Sequence, residues 1–264
     1  MGHAVPMEIH DIHTAVVREG RVHLDRPLSV PEGTEVTVVL CAAGAPRVRV
    51  LLGEHLLGHA AAIAERLPQT RRELAARTGV VLGPVSVRDD LSLSADAYAL
   101  EIDGETVAEG HLPADRRMVL SPEGAPLPPI GVPDVEPAYG LEIRWVLPAE
   151  EAALPAGLLV FDAPTALTTH LGAVLSDAAP ALLDLMALDL ALRDHPALAA
   201  ALAEAGITRV EALRWLRALL EAGATVSPLA HTLEAVLVAV TEARHRGRSL
   251  DAALAALAAT RPRR

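Results

Sequence analysis

Asp103-Gly104 is the dipeptide that most constrains this chain, because it sits between two alternating segments, Tyr98–Ile102 and Glu105–Gly110. Asp-Gly favours the two-residue hairpin turn, whose central residues both need positive φ. Antiparallel pairing is therefore expected here. The apolar, β-branched run Val80–Val87 precedes it and reads as a strand. From Asp162 onward the pattern changes to Ala and Leu at three- and four-residue spacing, which reads as closely packed helices. The fold class expected is α+β: a small N-terminal β unit, a central α+β subdomain with an inserted β-hairpin subdomain, and a C-terminal helical bundle.

The boundaries expected are 1–42 for the β unit, 47–147 for the α+β part with its insertion at about 90–127, 148–222 for a helical part, and 223–264 for a terminal helical segment. In the first unit, Thr14–Arg18 and Arg21–Leu24 flank a turn at Glu19-Gly20, Pro31–Thr34 is a second turn, and Glu35–Leu40 alternates as a third strand. Cys41–Pro46 is a linker by composition. Glu54–Arg77 reads as helical with a break at Pro68, giving two pieces. Glu123–Asp134 is rich in Pro and Gly and reads as a stiff extended loop. Asp162 or Thr165 caps one helix, Thr208 caps another, and Pro180, Pro196, Ser227-Pro228 and Ser249 open others. Arg261–Arg264 is expected to fray.

Composition narrows the function classes. Half the residues are hydrophobic but only 2% are aromatic, so the core must be Ala, Leu and Val. The net charge is −11, which disfavours phosphate backbones. Cys41 is the only cysteine, so no intramolecular disulfide forms. No apolar run approaches the ~20 residues that span a bilayer. The N-terminus lacks the basic and apolar regions of a signal peptide.

Catalytic and metal patterns are weak. His55 and His59 stand four apart, one half of a zinc site, but no third ligand stands out. His3, His10, His13 and His23 alternate in face if extended. Asp89 and Asp90 point apart on a strand, so a turn role is expected for them rather than acid–base chemistry. His170 has no nucleophile placed beside it by a recognised motif. The reading is no enzyme, no metal and no cofactor.

A longer ordered pattern runs through the chain. It comprises Gly79–Leu91 (with Pro84-Val85-Ser86-Val87-Arg88-Asp89), Tyr98, the hairpin with Val107-Ala108-Glu109-Gly110, then Glu136-Pro137-Ala138-Tyr139-Gly140-Leu141 and Trp145. Thr169-His170-Leu171 and the Leu-rich Ala212–Leu220 with Glu221-Ala222-Gly223 continue it. Over roughly Val48–Ala243 this resembles the cytoplasmic domain of the type III export gate family, also called FHIPEP, the large membrane component of flagellar and injectisome export. The resemblance implies a cleft beside the inserted β subdomain that receives export chaperones with their cargo. Its matching positions are Gly110, His111, Leu112, Val132, Pro133, Asp134 and Val135, with Tyr139 beside them.

It also implies a cytoplasmic protein at a membrane export apparatus, with export chaperones, substrates or apparatus components as partners and room for a homo-oligomer. This sequence departs from the family at His111, often acidic there, and at Asp134, often Thr. The family's Gly-aromatic-x-Val-Val-Asp-Pro segment is reduced to Gly157–Asp162. The transmembrane half is replaced by His13–Leu40, and the chain stops soon after the last subdomain begins, so a complete export gate is not expected. Residues 13–40 also resemble small β-rich antitoxin domains, which implies the alternative of a regulatory or antitoxin-like dimer. The near-neutral charge of the first fifty residues argues against DNA as its ligand.

Overall fold

The computed structural model describes residues 15–18, 21–24, 46–122 and 126–263. The expected third strand at Glu35–Leu40, the 31–34 turn, the linker and the histidines at 3, 10 and 13 lie outside the described residues. β1 (Ala15–Arg18) and β2 (Arg21–Leu24) pair antiparallel as a sheet of their own. From residue 46 on, the described chain is α+β and divides into two compact units: 46–72 with 83–169, and 73–82 with 170–263.

The first unit carries two four-stranded sheets. One is ordered β4-β3-β5-β6, from β3 (Val48–Leu52), β4 (Val85–Asp89), β5 (Ala97–Ile102) and β6 (Glu105–His111). The other is ordered β10-β7-β9-β8, from β7 (Arg117–Leu120), β8 (Val132–Val135), β9 (Glu142–Val146) and β10 (Leu159–Phe161). Val48, Val50 and Leu52 alternate into the core opposite Ile102, Leu100 and Tyr98. Val119, Ile143, Trp145 and Val146 bury the second sheet.

Asp103 and Gly104 both have positive φ, 53° and 93°, as a two-residue hairpin requires. That hairpin makes no sheet of its own. β5 and β6 extend the first sheet, while β7 joins the second.

Three local expectations change. The strand predicted from Val80 begins only at Val85, because Pro84 lacks the N–H that a ladder needs. Pro68 does not break its helix: α1 runs unbroken from Ala60 to Thr78 behind a 3-10 segment, Glu54–His59. A proline inside a helix costs about 3 kcal/mol. Burying Ile63 and Leu67 before it and Leu74 after it returns roughly 1.5–3 kcal/mol each, which outweighs that cost. The third change is at Arg261–Arg263, which dock rather than fray. The Thr225 N–H donates to the Pro262 carbonyl (3.0 Å), and the Arg261 guanidinium reaches the carbonyls of Thr225 and Ser227 (2.9 and 3.2 Å).

The second unit is helical. It contains α3 (Ala179–Leu182), α4 (Leu185–Arg193), α5 (Pro196–Glu204), α6 (Arg209–Glu221), α7 (Leu229–His245) and α8 (Leu250–Thr260). α6 is its centre, packing on α3, α4, α7 and α8 with Leu213, Trp215, Leu216, Leu219 and Leu220 buried. Its start is a capping box in which the Thr208 hydroxyl accepts the Glu211 N–H and the Glu211 carboxylate accepts the Thr208 N–H.

α2 (Ala163–Asp177) is capped by Asp162, whose carboxylate accepts the Thr165 N–H at 2.8 Å and pairs with Arg66 at 2.8 Å. Burial opposes its ionisation. The Thr165 N–H and hydroxyl, with Arg66 and Arg117 nearby, nevertheless hold its pKa below the usual carboxylate value. A depressed folded pKa contributes stability that is present above the unfolded value, about 3.9, and is lost as pH falls through the folded one. Asp162→Asn is therefore expected to flatten the acid limb of stability. Urea unfolding of both proteins at about pH 2–5 measures this, and identical acid limbs contradict it.

Candidate functional site

The site is built around one buried acid. Glu136 is 5% exposed. Its carboxylate accepts the N–H groups of Ala138 (2.7 Å), Tyr139 (2.7 Å) and Leu141 (3.3 Å). Its own N–H donates to the Leu141 carbonyl at 3.0 Å, and the Gly140 N–H donates to the Glu136 carbonyl at 3.1 Å. The segment Glu136–Leu141 is thus a loop wound around its own first side chain. A carboxylate is suited to this because one group can accept several backbone donors. The loop holds Tyr139 and Leu141 outward, 62% and 46% exposed, next to Val135 at 57%.

Tyr98 connects this loop to the first sheet. Its ring lies directly over Gly110, its partner across β5 and β6. A Cβ built on Gly110 would fall 2.2–2.5 Å from Tyr98 ring and hydroxyl atoms, so only glycine leaves room. Burial, and then the charge of Glu136, push the Tyr98 hydroxyl up, which keeps it protonated. The Gly110 end of the hairpin and the Glu136 loop therefore belong to one neighbourhood.

The expected site residues separate into display and framework. His111 and Tyr139 are exposed, as are all four residues of β8. Leu112 is 2% exposed and its N–H donates to the Asp96 carbonyl at 2.8 Å, so it is a core residue with no surface to offer a partner. Val132 and Asp134 point to one face of β8, and Pro133 and Val135 to the other. Asp134 is framework too: one carboxylate oxygen accepts the indole N–H of buried Trp145 at 2.9 Å and the other accepts the Val135 N–H at 2.8 Å. Sequence reasoning passed over Tyr98, Glu136 and Leu141 as site residues. The signal was the glutamate that opens the Pro-Ala-Tyr-Gly-Leu run, a polar residue heading a tight loop.

The other candidates are accounted for locally. His55 and His59 lie on a 3-10 segment, where residues four apart diverge. His55 meets Asp96 at 3.2 Å and His59 meets the Ala114 carbonyl at 3.1 Å. The Asp90 carboxylate accepts the Ser92 N–H and hydroxyl, a turn role, and both bonds lower its pKa. His170 is buried inside α2 rather than at its start. A hollow of about 250 Å³ beside Asp162 is lined by His59, Arg116, Arg117 and Pro148, and its acid is already engaged as a helix cap. What the Glu136 loop offers is a rigid frame presenting apolar side chains.

Comparison with known proteins places the whole pattern. A model described as the FHIPEP family matches residues 45–255. The flagellar biosynthesis protein FlhA of Bacillus subtilis (strain 168) is 33% identical over 110 residues, which are 41% of this chain and 16% of that protein. The chain thus spans a small part of that relative. Among solved structures, the Chlamydia pneumoniae CdsV and CdsO protein complex contains a chain similar to this one with a TM-score of 0.64 and 17% identity, over 83% of this chain and 65% of that one. The nonameric EscV cytosolic domain from the type III secretion system is similar with a TM-score of 0.54 and 13% identity, over 74% of this chain and 59% of that one. At these identities the structural likeness is one of fold. No helix among the described residues is long and apolar enough to cross a membrane.

Proposed function

The chain belongs to the FHIPEP family, and from that premise we propose that it is a non-catalytic protein-binding module that docks export chaperones, substrates or components of a type III export apparatus. The observation that carries this reading is the Glu136 loop, which spends a buried carboxylate on three backbone donors to hold Tyr139 and Leu141 outward beside Val135. Tyrosine is among the side chains that carry most interface binding energy, and its aliphatic neighbours Val135 and Leu141 supply the surrounding contacts that exclude water. His111 supplies a polar group at the hairpin end of the same neighbourhood. The location proposed is the cytoplasmic side of the export apparatus. Self-assembly belongs to the same reading, because the EscV relative is described as nonameric.

The test is capture of partners by the tagged full chain, beside a Val135→Asp/Tyr139→Asp variant. Export chaperones or apparatus components are expected with the parent, and at least about tenfold less of them with the variant, since a tyrosine at the centre of an interface contributes ~2 kcal/mol and ~1.4 kcal/mol is already tenfold. Circular dichroism and the unfolding midpoint should be unchanged, both residues being exposed. Equal recovery by both proteins contradicts the assignment.

A further inference from the structure

The open side of β8 borders this surface, and its chemistry is unlike that of an ordinary sheet edge. An edge strand normally presents a row of free N–H and C=O groups on which another strand can pair. Along an extended strand the N–H groups alternate between the paired side and the open side. The Glu136 N–H points toward the β9 side, where it meets the Leu141 carbonyl. The same alternation directs the N–H groups of Asp134 and Val132 to the paired side, and leaves positions 133 and 135 facing out. Position 133 is proline and has no N–H. The Val135 N–H is already taken, by the Asp134 carboxylate at 2.8 Å. That carboxylate is fixed in turn by the Trp145 indole. Both outward donors are therefore missing, one by covalent structure and one by a side chain pinned from behind.

We propose that Pro133 and Asp134 seal the edge of β8 against strand addition by a second copy of this chain, so that the surface at Val135 and Tyr139 is engaged through side chains alone. The last clause rests on the docking reading; the sealing itself does not. A strand arriving at β8 meets carbonyls with no donors between them, and desolvating carbonyls it can only half match is unfavourable. The other edge of the same sheet, β10, is only three residues long. The β6 edge carries Glu105 and Glu109 along it, charges that repel a second copy of themselves. β8 has no charge on its open face to serve that purpose, since Asp134 lies on the other face and is engaged. Proline and a captured N–H take its place.

The experiment is self-association of the full chain by sedimentation velocity over a range of concentrations, with Pro133→Thr and Pro133→Thr/Asp134→Ala as variants and Pro129→Thr as the control outside β8. The single variant restores one outward donor and the double variant both. Association is expected at concentrations at least about tenfold lower in the single variant than in the parent, lower again in the double, and unchanged in the control. Because loss of Asp134 also frees Trp145, amide exchange of the parent is the independent check on Asp134: the Val135 N–H should exchange slowly for an edge residue. Association curves that superimpose for Pro133→Thr and the parent, or a Val135 amide exchanging as fast as an unbonded one, overturn the proposal. Partner capture by the parent is a separate readout, so failure of the sealing and failure of the docking reading are distinguished.

Discussion

Glu136→Ala is expected to lower the unfolding free energy by about 3 kcal/mol, and to weaken partner binding along with it. The estimate follows from what the carboxylate does. It accepts three backbone N–H groups while 5% exposed. Bonds to a charged acceptor are worth roughly 1.5–3 kcal/mol each, and a buried donor left unpaired costs ~1–3 kcal/mol. The loop lies at the surface, so water recovers some of this, which is why the figure is below the simple sum. Glu136→Gln keeps one acceptor oxygen and should lose about half as much. Denaturant unfolding of the three proteins measures the series. The partner-binding loss should exceed that of an equally destabilising core substitution such as Leu112→Ala, because only the loop variant releases Tyr139 and Leu141. If Glu136→Ala unfolds at the parent's midpoint, the carboxylate is not the organiser of this loop.

Gly110→Ala is the second large effect, expected at about 2–3 kcal/mol, the upper part of the ~1–3 kcal/mol range for forcing extra volume into a filled core. The added methyl would sit 2.2 Å from the Tyr98 hydroxyl oxygen and 2.3–2.5 Å from ring carbons. Tyr98 is 1% exposed and cannot swing outward without opening the sheet. Tyr98→Leu alone should also destabilise, by leaving a cavity. The two substitutions together should cost less than the sum of their separate costs, because the shorter side chain vacates the space the methyl enters. A double-mutant cycle reads this coupling. Strict additivity would mean that Gly110 is required for some reason other than the ring above it.

Where single residues dictate geometry, the sequence was readable. Asp103-Gly104 favours a turn with two positive φ values, and Thr208 suits a helix N-cap; both stand where expected. The α+β class follows from the change between these two patterns. Where non-local packing decides, it was not readable. Pro68 is a helix breaker by type, yet the buried stripe on both sides of it overrides that preference. Arg261–Arg263 look like a charged tail, yet the Arg261 guanidinium reaches carbonyls some 35 residues earlier and the Pro262 carbonyl accepts the Thr225 N–H.

The site divides the same way. The resemblance pointed to a stretch in which Val135 and Tyr139 are exposed, but it gave Leu112 a surface role that burial removes. It also placed all of 132–135 in one cleft, whereas a strand sends alternate residues to opposite faces. The Glu136 carboxylate was visible in sequence only as one letter of a motif. Its partners are backbone N–H groups, which no side-chain pattern records.

The most direct measurement of the docking claim is amide hydrogen exchange of the full chain, with and without a captured export chaperone at saturating concentration. The account predicts slowed exchange concentrated at His111 and across 135–141, with Tyr139→Asp abolishing it. Protection confined to the helices α4–α8, with 135–141 exchanging as in the free chain, would contradict it.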